Sequence, residues 1–550
     1  MNEPSARQES HHARSSMRER GTLVYWSVTV TLFLVVCVLH FWKLGSAPMG
    51  FHGDEASVAY NAYCIARTGA DEYGTRWPLF FRSFNTYVDA VDVYSEVLPV
   101  CVFGLHQWSA RLAVGFYYLM ASVAFFVLLR VWRMGKWFAL GGAFVLAVTP
   151  WLFPSGRTAA ATGHFAGLCG MLAGLVLSDF ALRRRSNGLA LSAGVAWAFT
   201  LYTHQSIYAV VALWLIGSGL VLWRPLVRRW RVVAVMLVSA LIVSAPVLIG
   251  TLRFRQAPMA RFDALNIFHS KSVSLKDVVI TEANQYLDYF SIPFLFVSGD
   301  HELGHHTGHG GELYWCLAPL ILTGIYVAIR YWRSQPRYRV VLAGLLASPI
   351  SAVVTIDRMQ STRSLYAVIF WVLLAVIGAR AWWRAKRVGR ILLALTILAG
   401  LGEARAYIAD YFGPYQARSQ TRFGTGITEA IRYCFDHLDS NQVLYVSATI
   451  GGPNYAWLNR DLKPFFYVYF LFYGKIDPST YQHGGFSNTV VRPYLETIDR
   501  PGLLLRCNLY LGRTQPTPIP NPEYLPPGAT LLATFPEYGP FEYQVFAVKP

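Results

Sequence analysis

Long apolar runs broken by short polar stretches dominate the chain up to about residue 410, where the pattern stops. A membrane-crossing helix needs about 20 predominantly apolar residues. Eleven segments meet or approach that length: 23–42, 111–130, 137–153, 159–182, 188–203, 207–223, 232–250, 313–331, 339–356, 364–382 and 391–408. A further apolar run, 94–106 (YSEVLPVCVFGLH), would reach only about 20 Å as a helix, well short of a hydrocarbon core about 30 Å thick. It reads as a juxtamembrane or re-entrant helix. Beyond 410 the pattern becomes a helical period over 426–438 and short strand-like runs at 442–448, 503–511, 529–535 and 541–548, separated by Pro- and Gly-rich turns. The sequence therefore predicts an α-helical polytopic membrane protein of about eleven spans with a small α/β domain after them. The expected organisation is a basic tail (1–22), a membrane domain (23–409) with large loops at 43–110 and 251–312, and a C-terminal domain (410–550).

Composition agrees with that reading. The chain is 54% hydrophobic and 14% charged, against about 25% charged residues in soluble domains. Its net charge of +17 could mark a nucleic-acid-binding protein, so the placement of the bases decides the matter. With the N-terminus in the cytoplasm, every loop that faces the cytoplasm is basic and holds no acid. These loops carry Arg130/Arg133/Lys136, Arg183/Arg184/Arg185, Arg224/Arg228/Arg229/Arg231, Arg330/Arg333/Arg337/Arg339 and Arg380/Arg384/Lys386/Arg387/Arg390. This is the positive-inside bias of membrane proteins, and it accounts for the charge without nucleic acid. Counting 94–106 as a span would move the Arg130–Lys136 loop outside and break the pattern. The run 23–42 lacks a small-residue cleavage site and is expected to stay as an anchor. The expected location is the cell membrane, multi-pass, with a cytoplasmic N-terminus and an extracytoplasmic C-terminal domain. Seven cysteines without a CxxC pair offer no metal framework, although Cys434 and Cys507 could pair.

On this topology the unusual polar residues gather on the outer face. Asp54 and Glu55 (GFHGDEASVAYNAY) follow the first span, Arg157 and His164 lie where the third span meets the fourth, and His204 (LYTHQS) sits in a tight turn. Asp357, Arg358 and Arg363 (TIDRMQSTRSLY) lie between the ninth and tenth spans. The loop SGDHELGHHTGHGGELY adds Asp300, His301, Glu302, His305, His306 and His309. Ionisable groups at membrane depth are costly and mark functional sites, though residues at helix ends can instead snorkel into water.

Each has a structural reading too. Asp54 suits the N-cap of a helix over 55–67, with Glu55 in its first turn and Gly69 at its end. The histidine loop has the composition of a metal site but no helical i, i+4 register. Asp71, Glu72, Asp89 and Asp92 read as solvated loop charges. The aromatic run 465–473 (FFYVYFLFY) suits a domain core, or contact with the bilayer or a lipid chain. As a set, a carboxylate facing arginines suits group transfer from an anionic leaving group: the carboxylate takes a proton from the nucleophile while guanidinium groups hold phosphate.

The stretch FHGDEASVAYNAY, followed by LPVCVFGLHQWSARLAVGFYYLM, TPWLFPSGR and YFSIPFLFVSGDHELGHHTGHGGELYW, resembles the polytopic GT-C glycosyltransferases of the protein O-mannosyltransferase and aminoarabinose-transferase type. The resemblance covers about residues 20–410. It implies a polyprenyl-phosphate-linked sugar donor, inversion at the anomeric carbon, and an external active site under the first loop. Carried over by position, Asp54 is the essential acid and base, with Glu55 beside it orienting or binding the acceptor. Arg157 would line the lipid-phosphate site with His204, Arg358 and Arg363, and His305/His306 occupy the place of a basic residue and a histidine. The resemblance implies no required cofactor, and a divalent metal is not favoured. The acceptor stays open between protein, lipid and glycan. The rival readings are a flippase or transporter of lipid-linked sugars, and a non-catalytic scaffold of the cell envelope.

Overall fold

The computed structural model describes residues 4–550 apart from 85, 254–274, 354, 356, 452–465, 496, 511–518, 522 and 537–540, with the side chains of the first twenty residues also outside the description. Part of the loop 251–312, the basic tail's arginines and the far end of the strand expected at 503–511 therefore lie outside the described residues.

Each apolar run read from the sequence contains a helix among the described residues. Among the described residues, six helices are long and apolar enough to cross a membrane: Gly21–Phe41, Gln107–Val131, Ala159–Arg184, Trp230–Arg253, Leu365–Arg384 and Lys386–Tyr411. Lys136–Val148, Ser206–Val221 and Trp315–Arg330 are shorter apolar helices. The runs 188–203 and 339–356 are helical over Asn187–Phe199 and Pro336–Ala347. This is a multi-pass membrane protein. The short run 94–106 lies in a helix over Ala90–Phe103, which begins earlier than expected because a hairpin, β1 (Phe80–Ser83) and β2 (Thr86–Asp89), delivers Asp89 to its N-cap position.

Burial sorts the membrane helices into inner and outer ones. Val368–Arg384 is apolar on all sides and almost entirely buried, as an inner helix should be. By contrast Gly21–Phe41 and Lys386–Tyr411 leave most of their apolar side chains uncovered by protein, the condition of a lipid-facing helix. Helices in lipid gain little from hydrophobic exclusion and depend on close packing of small residues. Gly324 and Gly378 meet that need between Ala318–Arg330 and Val368–Arg384. A Cβ on Gly324 would lie 2.0 Å from the Leu374 carbonyl oxygen, and one on Gly378 would lie 1.9 Å from that of Leu320.

After the last membrane helix, Thr425–His437 packs on a five-stranded sheet of order β4-β3-β5-β9-β8. Its strands are β3 (Val443–Val446), β4 (Val491–Pro493), β5 (Gly502–Cys507), β8 (Thr530–Pro536) and β9 (Glu542–Val548); β3 runs parallel to β4 and β5, and β9 antiparallel to β5 and β8. A separate two-stranded ribbon joins β6 (Leu509–Tyr510) to β7 (Ile519–Pro520). Cys434 and Cys507 are both buried and no disulfide joins them, so the pairing considered above is not formed. The aromatic run is core: Tyr467–Tyr473 is a buried helix against Gly53–Thr68. The helix carrying Asp54 is thus clamped between the membrane bundle and the C-terminal part. Tyr60 Oη donates to the Ile476 carbonyl at 3.0 Å, Gln107 Nε2 to Tyr473 Oη at 2.6 Å, and the Phe51 N–H to the Phe423 carbonyl at 2.9 Å.

Candidate active site

The two adjacent acids part company in the structure. The helix begins at Gly53, and its N-cap is His52 rather than Asp54. His52 Nδ1 accepts the Asp54 N–H at 3.2 Å, while the His52 N–H donates to Glu55 Oε2 at 3.0 Å, a reciprocal capping box. Asp54 is therefore released from the capping role expected of it. Its carboxylate is 33% exposed, and its one ionic approach among the described residues is 3.7 Å to His52 Nδ1. That nitrogen already accepts an N–H, so it has no proton to give Asp54. Burial lowers the His52 pKa, against the opposing pull of Asp54, which keeps the ring neutral.

Glu55 is fully buried with all its acceptor capacity in use. Oε1 accepts from Arg111 Nε and the Ala159 N–H, both at 2.8 Å; Oε2 accepts from Arg111 Nη2 and the His52 N–H, both at 3.0 Å. Arg111 in turn donates to the carbonyls of Leu44, Pro48 and Gly50. This pair fastens the entry to the first loop onto the Gln107–Val131 helix. The structure thus gives Glu55 a holding task in place of the acceptor-binding one expected from the resemblance.

Arg157 is corrected in the same way. Its guanidinium is buried, donating to the carbonyls of Leu39 (2.6 Å), Trp42 (2.7 Å) and Ala47 (3.0 Å) and to Tyr411 Oη (3.2 Å). It staples the end of the first span to the last, and those oxygens take four of its five N–H donors. Arg358 also lies elsewhere, exposed and paired with Asp288 at 2.6 Å. His306 is buried inside its loop, with Nδ1 accepting the Gly308 N–H at 3.0 Å and its pKa lowered by burial to about 4.

The remaining candidates converge on one cavity of about 270 Å³, to which Asp54, His204, His305 and Arg363 all contribute. His204 Nδ1 accepts the Ser206 N–H at 3.1 Å, which puts the ring proton on Nε2, and the ring stacks on His164 with centroids 3.7 Å apart. His305 Nδ1 lies 3.3 Å from Asp300 Oδ2, which also accepts from the backbone and hydroxyl of Ser361 at 2.8 and 3.0 Å. Burial works to raise the Asp300 pKa, but the hydrogen bond and charge of His305 and the N–H groups outweigh it and hold it below its usual value. An ionised Asp300 thus orients the His305 ring. Arg363 lies 3.1 Å from Asp357.

Further cavity residues had no clear sequence signal. Arg422, from the segment after the last span, pairs with Glu302 at 2.7 Å and is partly exposed. Nothing local distinguishes it from other loop arginines; bonds distant in sequence bring it in, from the Phe51 N–H to the Phe423 carbonyl, from the Met49 N–H to Gln416 Oε1 and from Thr425 Oγ1 to the Met49 carbonyl. Asp89 and Asp92, read as solvated, are buried cavity residues. Asp92 Oδ1 accepts the Gly163 N–H at 2.5 Å near the N-terminus of Thr162–Arg184, and a Cβ on Gly163 would sit 2.7 Å from the carboxylate. Asp71 and Glu72 are buried too. Asp71 Oδ1 accepts the N–H groups of Tyr73 and Thr75, and Glu72 accepts from Tyr467 Oη at 2.5 Å. Among the described residues no group of three or more His, Cys, Asp or Glu has metal-binding geometry.

No protein-family model matches the chain, and no curated protein matches it in sequence. Solved structures do resemble it. ArnT from Cupriavidus metallidurans bound to undecaprenyl phosphate superposes with a TM-score of 0.52 at 14% identity, covering 96% of this chain and 97% of that one. The same protein in the apo state gives 0.53 at 15% identity, covering 96% and 98%. A looser likeness, TM-score 0.47 at 12% identity over 82% of this chain and 64% of the other, is to the archaeal oligosaccharyltransferase AglB from Archaeoglobus fulgidus. Over nearly its whole length the chain has the fold of the ArnT structures, an α-helical polytopic membrane fold with a small α/β part at its C-terminal end.

Proposed function

We propose that this protein is an inverting membrane glycosyltransferase that moves a sugar from a polyprenyl-phosphate donor to an acceptor hydroxyl on the outer face of the cell membrane. One observation carries the reading: Asp54, free of capping, shares a cavity with Arg363, Arg422 and the Asp300-held His305, each delivered by a different segment. The ArnT fold, in one case bound to undecaprenyl phosphate, supports the donor class.

Asp54 takes the proton of the acceptor hydroxyl as its oxygen attacks the anomeric carbon. The carbon–oxygen bond to phosphate breaks with its electron pair, leaving polyprenyl phosphate. Arg363, Arg422 and His305 hold that growing negative charge, and His204 Nε2–H is a further donor at the wall. Arg422 can leave Glu302 for phosphate at small cost, because exposed ion pairs contribute about 0–1 kcal/mol. No resident cofactor is needed for these steps. The acceptor is a protein, lipid or glycan hydroxyl. The basic loops support a cytoplasmic N-terminus and an extracytoplasmic cavity.

The test is to incubate the purified protein with a panel of polyprenyl-phosphate sugars and cell-envelope extract, and to follow release of the lipid phosphate. Release from at least one donor is expected; a folded protein that releases none refutes the proposal.

A further inference from the structure

A second cavity, of about 660 Å³, lies among the membrane helices and shares no lining residue with the first. It falls within the range of about 300–1,000 Å³ typical of ligand sites. Its walls are Lys136–Val148, Val368–Arg384, Lys386–Tyr411 and the start of Ala318–Arg330, and they are almost wholly apolar. Gly141, where a Cβ would meet nothing within 4 Å, and Gly400 leave the groove open.

The groove has a chemical direction. Lys136 is the one charged residue in its lining, and it lies at the end where Trp137 and Trp383 are also exposed. Tryptophans at that level are the mark of a membrane–water interface. Lys136 Nζ stands 4.7 Å from the Tyr25 ring centroid and 5.8 Å from that of Trp137; among the described residues no carboxylate pairs with it. Arg133 and Arg380 adjoin this end, joined by a 2.9 Å bond from Arg380 Nη1 to the Arg133 carbonyl. The helix from Lys136 runs about 18 Å to Val148, and the chain then leads to Ser155 and Thr158 in the wall of the Asp54 cavity. The cationic mouth therefore opens on the membrane face opposite Asp54.

We propose that this groove binds an anionic phospholipid, with an acyl chain between the helices and its phosphate at Lys136. Charge complementarity selects the occupant. A zwitterionic lipid would bring its own ammonium to a mouth that already holds Lys136 with Arg133 and Arg380 beside it, and a donor lipid lying here would present its phosphate on the wrong face for Asp54. An acyl chain gains little by moving from bilayer to groove, so selectivity rests on the headgroup, at about fivefold for each cation near the surface.

The experiment titrates the full-length protein in detergent with phosphatidylglycerol and with phosphatidylcholine, counting bound lipid by native mass spectrometry. Phosphatidylglycerol should bind at least tenfold more tightly. Gly141→Leu should fill the groove and cut binding of phosphatidylglycerol at least tenfold. Its fold should hold, because leucine enters open space and favours helix over glycine. Lys136→Glu should abolish the preference between the lipids, and Lys136→Arg should keep it. Equal binding of the two lipids to the wild type, or wild-type phosphatidylglycerol binding by both Gly141→Leu and Lys136→Glu, overturns the proposal. So does binding of polyprenyl phosphate by the wild type at least tenfold more tightly than phosphatidylglycerol, with that binding lost in Gly141→Leu, which would make the groove a donor-chain site.

Discussion

Replacing Glu55 by Gln should destabilise a fold that replacing its neighbour Asp54 by Asn leaves intact. Glu55→Gln changes no volume but removes the negative charge from a pair in which both side chains are 0% exposed. Arg111 then remains as a buried cation held only by the carbonyls of Leu44, Pro48 and Gly50. The new amide N–H₂ also faces a donor wherever it points, since all four groups around the carboxylate are N–H donors. Breaking one side of a buried ion pair costs about 3–5 kcal/mol. At about 1 °C per kcal/mol for a chain of 550 residues, the apparent Tm should fall by roughly 3–5 °C. Asp54 is one-third exposed and accepts no side-chain hydrogen bond among the described residues, so Asp54→Asn should stay within about 0.5 kcal/mol. Thermal unfolding of the detergent-solubilised variants, followed by intrinsic fluorescence, gives the comparison directly. Adding Arg111→Met to Glu55→Gln should recover part of the loss, because the uncompensated charge is then gone. The reasoning fails if Glu55→Gln melts within 2 °C of the wild type, or if Asp54→Asn costs as much as Glu55→Gln.

Three other outcomes follow from the same geometry. Arg157→Ala strands the buried carbonyl of Ala47 at about 1–3 kcal/mol and frees the part-buried carbonyls of Leu39 and Trp42; the Tm should fall while the donor KM of the folded fraction is unchanged, and a normal Tm with a raised KM would return Arg157 to the phosphate site. Arg422→Ala should keep the Tm and lower kcat/KM for the donor at least tenfold, and an unchanged kcat/KM would remove it from the leaving-group site. His306, held neutral with a pKa of about 4, takes up its proton later than the unfolded chain does as pH falls below about 6.5, so its contribution is full above that pH and is lost toward pH 4. By pH 5 the loss is about 2 kcal/mol, and His306→Asn, which retains an acceptor for the Gly308 N–H, should be less acid-sensitive by that amount; parallel Tm–pH curves for the two proteins would contradict it.

The membrane helices were legible because their signal is one-dimensional: a run of apolar residues is helical wherever its neighbours lie. In the C-terminal part β5, β8 and β9 were legible as short runs set off by Pro- and Gly-rich turns. β4, three residues ending in Pro493, carries too little pattern to be read. The site was legible only in part. Two acids beside a span announced themselves, but choosing between Asp54 and Glu55 requires Arg111, 56 positions later and at the head of an apolar span where arginine ordinarily reads as snorkelling. Arg157 misled for the converse reason. An arginine in a short external turn looks available for phosphate until the chain end at Leu39–Ala47 closes its carbonyls around it. Asp89 and Asp92 look solvated in sequence because their burial comes from the Thr162–Arg184 helix and the loops around the cavity, none of them adjacent in the chain.

The account turns on Asp54 as the base that works across the cavity from Arg363, Arg422 and His305. The most direct measurement is release of polyprenyl phosphate from its sugar by purified wild-type protein and Asp54→Asn, side by side, in the presence of envelope acceptor. The account predicts turnover by the wild type and a loss of about 10²–10⁴-fold in Asp54→Asn, with the two proteins melting at the same temperature. Turnover by Asp54→Asn within tenfold of the wild type would contradict it.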